Sequence, residues 1–359
     1  MVNQKLSFIS IAYIIILGIG LFAHVEIIPA VLSTSRRDTW ISMLLAIIPL
    51  ILFTPLIYKV GQTVKGTPFI RIISEQLGRF KFYILFFPLL VYLIISAFVS
   101  TKEIIYWSQL SFMQNFSSMI IGGVLLIACF YCSFSGVESM AIISRLLLPA
   151  VVFLGFFVSF ANMKKKHYEL LLPIFQEGVL DILKGMLYTS LPIIEIAFVL
   201  FFLPYMKGMI KIKHLIILGV LIIGLMIGPA IGAIVEFGPK YASEFRYPAF
   251  EEWRIISIGR YISHTDFFAI FQWLSGATIR IGFFIYLTSQ ILTKGGKNRT
   301  PISIIFILLF IAVVMPLDQD QFYNFVFRYF LPISTIVLPI QFIMVSIYIF
   351  KNKQLFLGG

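Results

Sequence analysis

Apolar stretches of about 17–25 residues recur from one end of this chain to the other, and nothing else restricts its fold so strongly. As a helix, each is long enough to cross roughly 30 Å of hydrocarbon. Period-two alternation is missing, which argues against a β-barrel. Of 359 residues, 60% are hydrophobic and 12% are charged, and the mean hydropathy is +0.98. A water-soluble core of this length would need more polar cover. The sequence therefore predicts an all-α polytopic membrane protein, a single membrane domain over residues 1–359.

Turn and charge clusters such as "KVGQTVKG" at 59–66 and "KGGKNR" at 294–299 divide the apolar runs. Ten transmembrane helices are predicted, over 7–32, 39–58, 81–107, 118–134, 141–161, 184–206, 214–236, 262–292, 302–316 and 327–350. The first run is too long for a signal-peptide core and lacks a small-x-small exit, so it is expected to be a span and not a leader. Ten spans with both termini cytoplasmic put Lys59, Lys65, Arg71, Arg79, Lys207, Lys211, Lys213, Lys294, Lys297, Arg299 and Lys351 inside. The positive-inside rule favours that orientation, although "KKKHYE" at 164–169 then faces outward. The net charge of +12 points to anionic lipid rather than nucleic acid.

Two spans carry helix-weakening residues near their centres. In the first, Gly18 and Gly20 each weaken a helix by about 1 kcal/mol relative to alanine. In "YTSLPIIEIAFVLFFLPYM", 188–206, Pro192 donates no backbone hydrogen bond and its ring crowds the carbonyl of Tyr188. Freed backbone at that depth must be buried in protein or line a cavity. Breaks in helices 1 and 6 point to a 5+5 inverted-repeat transporter fold, with repeat one over about 7–161 and repeat two over about 184–350.

The same geometry selects candidate site residues. Tyr188, Pro192 and Glu195 share one helical face, so the carboxylate lies beside the disrupted turn and should point into the protein. Arg280, mid-way along the eighth span, cannot easily lose its proton and needs an acid, either Glu195 or Glu26. It is expected to be a fixed internal cation, standing where a sodium-coupled transporter would bind its ion. His24 and Glu26 lie toward the outer end of span 1, where a vestibule or interface role is as good a reading as ligand contact. Trp40, Trp107 and Trp253 fall near span ends, where aromatic belts explain them, whereas Trp273 is deeper and either lines a cavity or packs. Cys129 and Cys132 share a helical face and are expected to pack, since two thiols are too few for a structural metal site. No Walker loop, zinc motif or nucleophile–base pair is visible, so neither an enzyme nor a bound cofactor or metal is expected.

With these residues in view, the chain resembles the B subunits of spore germinant receptors, the GerAB/GerKB-type endospore germination permeases of the amino acid–polyamine–organocation superfamily. The resemblance rests on the order and spacing of "GIGLF…IIPAVL", "RRDTWISMLLA" (36–46), "KGTPFIRIISEQLGR" (65–79), "LLPIFQEGVLDILKG" (171–185), "SLPIIEIAFVLFFLPYM" and "YPAFEEWRIISIGRYI" (247–262). It implies a LeuT-like fold in the spore inner membrane, with receptor A and C subunits as partners and a small nutrient such as an amino acid as ligand. It also implies that the ligand carboxylate meets Gly18 and Gly20, and that the amino group meets the sixth helix around Thr189, Ser190 and Pro192. The family's acidic and basic residues fall on Glu195 and Arg280. "MQNFSS" at 113–118 departs from the Pro-rich link expected there.

Three functions fit this reading: a nutrient-sensing receptor subunit, an autonomous amino acid or small-solute transporter, and a channel or scaffold component with a vestigial pocket. The outer segment 239–257, "PKYASEFRYPAFEEWRIIS", is the expected moving lid.

Overall fold

The computed structural model describes residues 5–257, 265–296 and 298–357. Those residues are helical almost throughout, and their only β-type pairing is an isolated bridge between Leu6 and Met206. Among the described residues nine helices are long and apolar enough to cross a membrane. In chain order they are α1 (Phe8–Leu44), α2 (Ile47–Val64), α3 (Phe69–Ser111), α4 (Ser118–Ser135), α5 (Val137–Ala161), α6 (Val179–Tyr205), α7 (Ile212–Phe237), α8 (Phe268–Leu292) and, after one shorter helix, α10 (Gln319–Lys351). The expected start of the eighth span at 262 and the end of the 247–262 motif lie outside the described residues, as does Lys297.

The shorter helix is α9, Thr300–Val314, at the place of the ninth expected span. Its 15 residues rise only about 22 Å, less than the hydrocarbon thickness. A helix ending at that depth leaves carbonyls without partners. Lys102 of α3 supplies them, its Nζ donating to Val313 O at 2.8 Å and to Met315 O at 3.0 Å. Tyr106, one turn along α3, donates to Leu317 O at 2.5 Å. Two polar side chains of α3 thus close the end of a neighbour too short to span.

The helices sort into an inner set and an outer set. Within their most apolar windows, 78% of α6 is buried inside the protein but only 22% of α5. Helices α1, α3, α6 and α8 pack together at the centre. Leu146, Phe153, Phe156 and Phe160 of α5 lie exposed on the outer face, as expected for side chains that meet lipid.

Both expected breaks are displaced, and neither helix unwinds. In α1, Gly18 and Gly20 lie inside regular α-helix, Phe8–Phe22. The winding changes one turn later, to a π segment at Ala23–Ile27, where Ile28 N–H bonds to Ala23 O. The physical cause is Pro29: it has no N–H for the Val25 carbonyl four residues back, so the regular ladder cannot pass this turn. The same device recurs in α10, where a π segment at Val326–Phe330 also ends two residues before a proline, Pro332, with Leu331 N–H on Val326 O. In α6 the α-helix runs through Pro192 to Glu195 and then tightens into a 3₁₀ helix, Ile196–Tyr205. Close packing holds the outer half of α6 regular: a Cβ on Gly185 would lie 2.6 Å from Ser42 Oγ at the end of α1.

Two short helices, Pro239–Glu244 and Pro248–Arg254, form the segment between α7 and α8 that the expected topology puts outside, hereafter the outer segment. Trp107 and Trp253 are buried around this segment, at 0% and 2% exposure. This corrects the expectation of a headgroup belt for them. Trp107 stacks on Trp273 with ring centroids 4.2 Å apart, and Trp253 donates to Gln272 Oε1 at 3.0 Å. An aromatic core under a folded-in loop explains them better than an interface does.

Candidate functional site

One face of α3 organises the centre of the molecule. Tyr92, Ser96, Ser100 and Glu103 follow the helical period and point the same way, each meeting a different level of the bundle. At the lowest level Arg280 of α8 and Glu195 of α6 form a two-pronged ion pair. Arg280 Nη1 lies 2.9 Å from Glu195 Oε2, and Nη2 lies 2.8 Å from Oε1. Both side chains are fully buried. Nη2 also donates to Ser96 Oγ at 2.8 Å, and Nη1 reaches Gly18 O at 3.3 Å. Tyr92 OH donates to Glu195 Oε1. The rings of Phe22 and Phe284 cover the guanidinium at 4.2 and 4.3 Å, a cation–π sandwich that excludes water.

This pair meets the expectation that Glu195 faces inward, and of the two acids expected for Arg280, Glu195 and Glu26, it is Glu195 that pairs. Gly18 packs against α8, where a Cβ would make an ordinary contact with Arg280 Cα at 3.6 Å, and its carbonyl accepts from Arg280. With Arg280 fixed by Glu195, Ser96 and Gly18 O, α1, α3, α6 and α8 are joined at one point.

The upper level lies seven residues along α3 from Ser96, roughly 10 Å away. Here Arg246 of the outer segment pairs with Glu103 and donates to Val25 O at 3.0 Å. Its guanidinium stacks against Tyr247, Tyr323 and Phe327 at 5.0, 4.4 and 4.7 Å. Tyr247 OH donates to Glu103 Oε2 at 3.0 Å and lies 3.0 Å from Tyr323 OH. One arginine thus ties the outer segment to the π segments of both α1 and α10. Val25 O is the carbonyl that Pro29 leaves unpartnered, so the sequence defect in α1 is what creates the anchor for Arg246.

Between the two levels lies Glu26, 1% exposed. It is not the partner of Arg280. Its only hydrogen bond is a long one, Ser100 Oγ to Oε1 at 3.5 Å, and Oε2 has none. His24 turns back to its own helix, Nδ1 on Gly20 O at 2.6 Å.

The expected ligand contacts are not assembled. Thr189 donates to Gly185 O and Met186 O, and Ser190 to Leu187 O, all in their own helix. Pro192 sits in unbroken α-helix, Tyr188 is half-buried at the outer half of α6, and Trp273 packs in the aromatic core. Thr189, Ser190, Gly18 and Gly20 share one reason: their polar groups are bonded within their own helices or taken by Arg280 and His24. Tyr92, Ser96, Ser100, Lys102, Glu103 and Arg246 were passed over in the sequence. The adjacent pair Lys102–Glu103 inside an apolar span was the available signal.

Among the described residues no group of three or more His, Cys, Asp or Glu side chains is placed to hold a metal. Cys129 and Cys132 are free thiols, buried where Gly282 of α8 backs onto them.

Comparison with known proteins gives two findings. A family model described as spore germination protein matches residues 4–323. Spore germination protein XB of Bacillus anthracis is 38% identical over 352 residues, which cover 97% of this chain and 99% of that protein.

Proposed function

Because this chain belongs to the spore germination protein family, we propose that it is the nutrient-sensing membrane subunit of a germinant receptor. It is an integral membrane protein whose transporter-like bundle, two five-helix repeats in the manner of LeuT, has been turned to signalling. Its place is the spore inner membrane, with both termini cytoplasmic and with an A and a C subunit as partners. The ligand is a small nutrient, in the first instance an amino acid.

The observation that carries this reading is the closed pair of charge levels, Arg280–Glu195 below and Arg246–Glu103 above. Arg280 keeps its charge throughout, because no accessible pH removes a guanidinium proton. Its place cannot be vacated and refilled by a coupling ion, as a transport cycle would require. The upper level, by contrast, belongs to a loop segment that can swing away. A ligand that binds better with that segment open, or with it shut, biases a two-state equilibrium that partner subunits can read.

The test removes the chain from spores and restores it with the paired change Glu195→Gln and Arg280→Gln. The expected result is loss of the nutrient response with partner subunits still present at normal levels. Net accumulation of labelled amino acid by the purified chain alone in vesicles would overturn the proposal in favour of autonomous transport.

A further inference from the structure

The spans bury five carboxylates among the described residues: Asp38 accepts from the backbone N–H groups of Phe175 and Glu177, and three others face a base. Glu103 faces Arg246, Glu195 faces Arg280, and Glu236 lies 3.7 Å from Lys166. Glu26 faces none within ion-pair distance, and its Oε2 has no hydrogen-bond partner. A second orphan lies at the adjoining level: Arg246 spends Nη1 on Val25 O and Nη2 on Glu103, while its buried Nε donates to nothing. Glu26 is within electrostatic reach of both Arg246 and Arg280. A buried acceptor and a buried donor, both without partners, therefore stand at adjoining levels, Glu26 in the π segment of α1 and Arg246 on the segment tied to it through Val25 O. A buried charge is retained without a partner only at a cost, and interior carboxylates in membranes mark sites where a cation is received.

We propose that Glu26 and Arg246 are the two poles of the ligand site, Glu26 Oε2 accepting the primary ammonium group of a zwitterionic small molecule and Arg246 Nε donating to its carboxylate. This rests on the nutrient-sensing reading and gives it a chemical class. It also reverses the orientation that the family resemblance implies. The carbonyls of Gly18 and Gly20 are taken by Arg280 and His24, the Ser190 hydroxyl by its own helix, and the Thr189 hydroxyl by its own helix and Ser42 O of α1. What α1 offers is the Glu26 carboxylate, and what closes over it is a guanidinium. Because Arg246 also latches the outer segment, a ligand carboxylate drawn to Nε competes with the latch, so recognition and lid movement share one residue.

The test is thermal stabilisation of the purified full-length chain in detergent. The probes are glycine, L-alanine, L-valine and L-leucine, their N-acetyl and amide derivatives, and an uncharged sugar and nucleoside. The expected result is stabilisation by at least one free amino acid and by neither of its derivatives. Glu26→Gln should weaken that response roughly 100-fold, as loss of one partner from a desolvated charge pair does, with the unliganded melting temperature verifying that the variant folds. Equal stabilisation by the N-acetyl form, or a sugar or nucleoside response untouched by Glu26→Gln, overturns the assignment of poles and leaves the sensing role standing. No response to any probe by the unmodified chain overturns both. The N-acetyl comparison needs no variant, so the assignment stays exposed to failure even if Glu26→Gln does not fold.

Discussion

Arg246 Nη1 donates to Val25 O at 3.0 Å, making the bond that Pro29 leaves unmade. A side chain more than two hundred positions downstream thus completes the first helix, and the segment 239–257 is tied to α1 by the same contact. Replacing Pro29 with alanine restores an N–H four residues after Val25 and gives that carbonyl a donor within its own helix. The expected outcome is faster amide hydrogen exchange across 245–257, because Arg246 then competes for its acceptor. Unchanged exchange there would show that the latch does not depend on the proline.

Removing Arg246 itself is costlier. Arg246→Ala leaves Glu103 buried beside Tyr247 with its base gone, a change that typically costs about 3–5 kcal/mol. The melting temperature should fall, and a protease should cut within 239–257 well before it cuts elsewhere. Adding Glu103→Gln should recover a large part of the loss, which separates the buried charge from lost packing.

The lower pair predicts a cycle of the same form. Glu195→Gln or Arg280→Gln alone strands one full charge among Phe22, Phe284 and Tyr92 and should destabilise by about 3–5 kcal/mol. The double change removes both charges and keeps hydrogen-bonding groups, so it should cost less than either single change. Additive losses in a melting series would mean that the two residues do not act as a pair.

Lys102 gives a local prediction. Lys102→Met fits the space but removes the donor to Val313 O and Met315 O. Each orphaned carbonyl costs about 1–3 kcal/mol. The end of α9 should fray, read as rising reactivity of a cysteine placed at 315 toward a water-soluble thiol reagent. Protection equal to that of the unmodified chain would count against the capping role.

A pH effect follows from the outer segment. Glu252, 5% exposed between α7 and α8, is held well above the ordinary carboxyl range by burial first and by neighbouring Glu236 second, with Lys166 opposing. The folded chain therefore keeps a proton that the unfolded chain releases near its ordinary value of 4.5. The stability this group lends is whole below that value and is lost as pH rises through the raised one. Melting temperature should decline as pH rises above about 4.5, and Glu252→Gln should flatten the decline. Gly232→Ala offers a steric check, since its Cβ would fall 2.5 Å from Glu252 Oε2.

Much of the architecture is written in hydropathy. The apolar runs locate the spans because lipid imposes a length and a composition that few other environments demand. Glu195 and Arg280 were legible as interior residues for the same reason: a charge at that depth has nowhere favourable to go except toward another charge. The segment 239–257 was legible as a long charged connection between two spans, and in the structure it forms two short helices there. Gly18, Gly20 and Pro192 were legible as weak points, yet the weakness did not become a break.

What the chain order could not carry is which backbone groups would find distant partners. Proline at 29 or 192 removes one donor locally, but whether the helix unwinds, widens or tightens depends on what packs against it. Arg246 on Val25, Arg280 on Gly18 and Ser42 against Gly185 decide that, and all three come from far along the chain. Likewise the sequence supplied acids and bases in number, but only the packed bundle matched Glu195 with Arg280 and Glu103 with Arg246, leaving Glu26 alone. Burial is a property of single residues and can be read from composition, whereas pairing is a property of geometry between helices and exists only once they are packed.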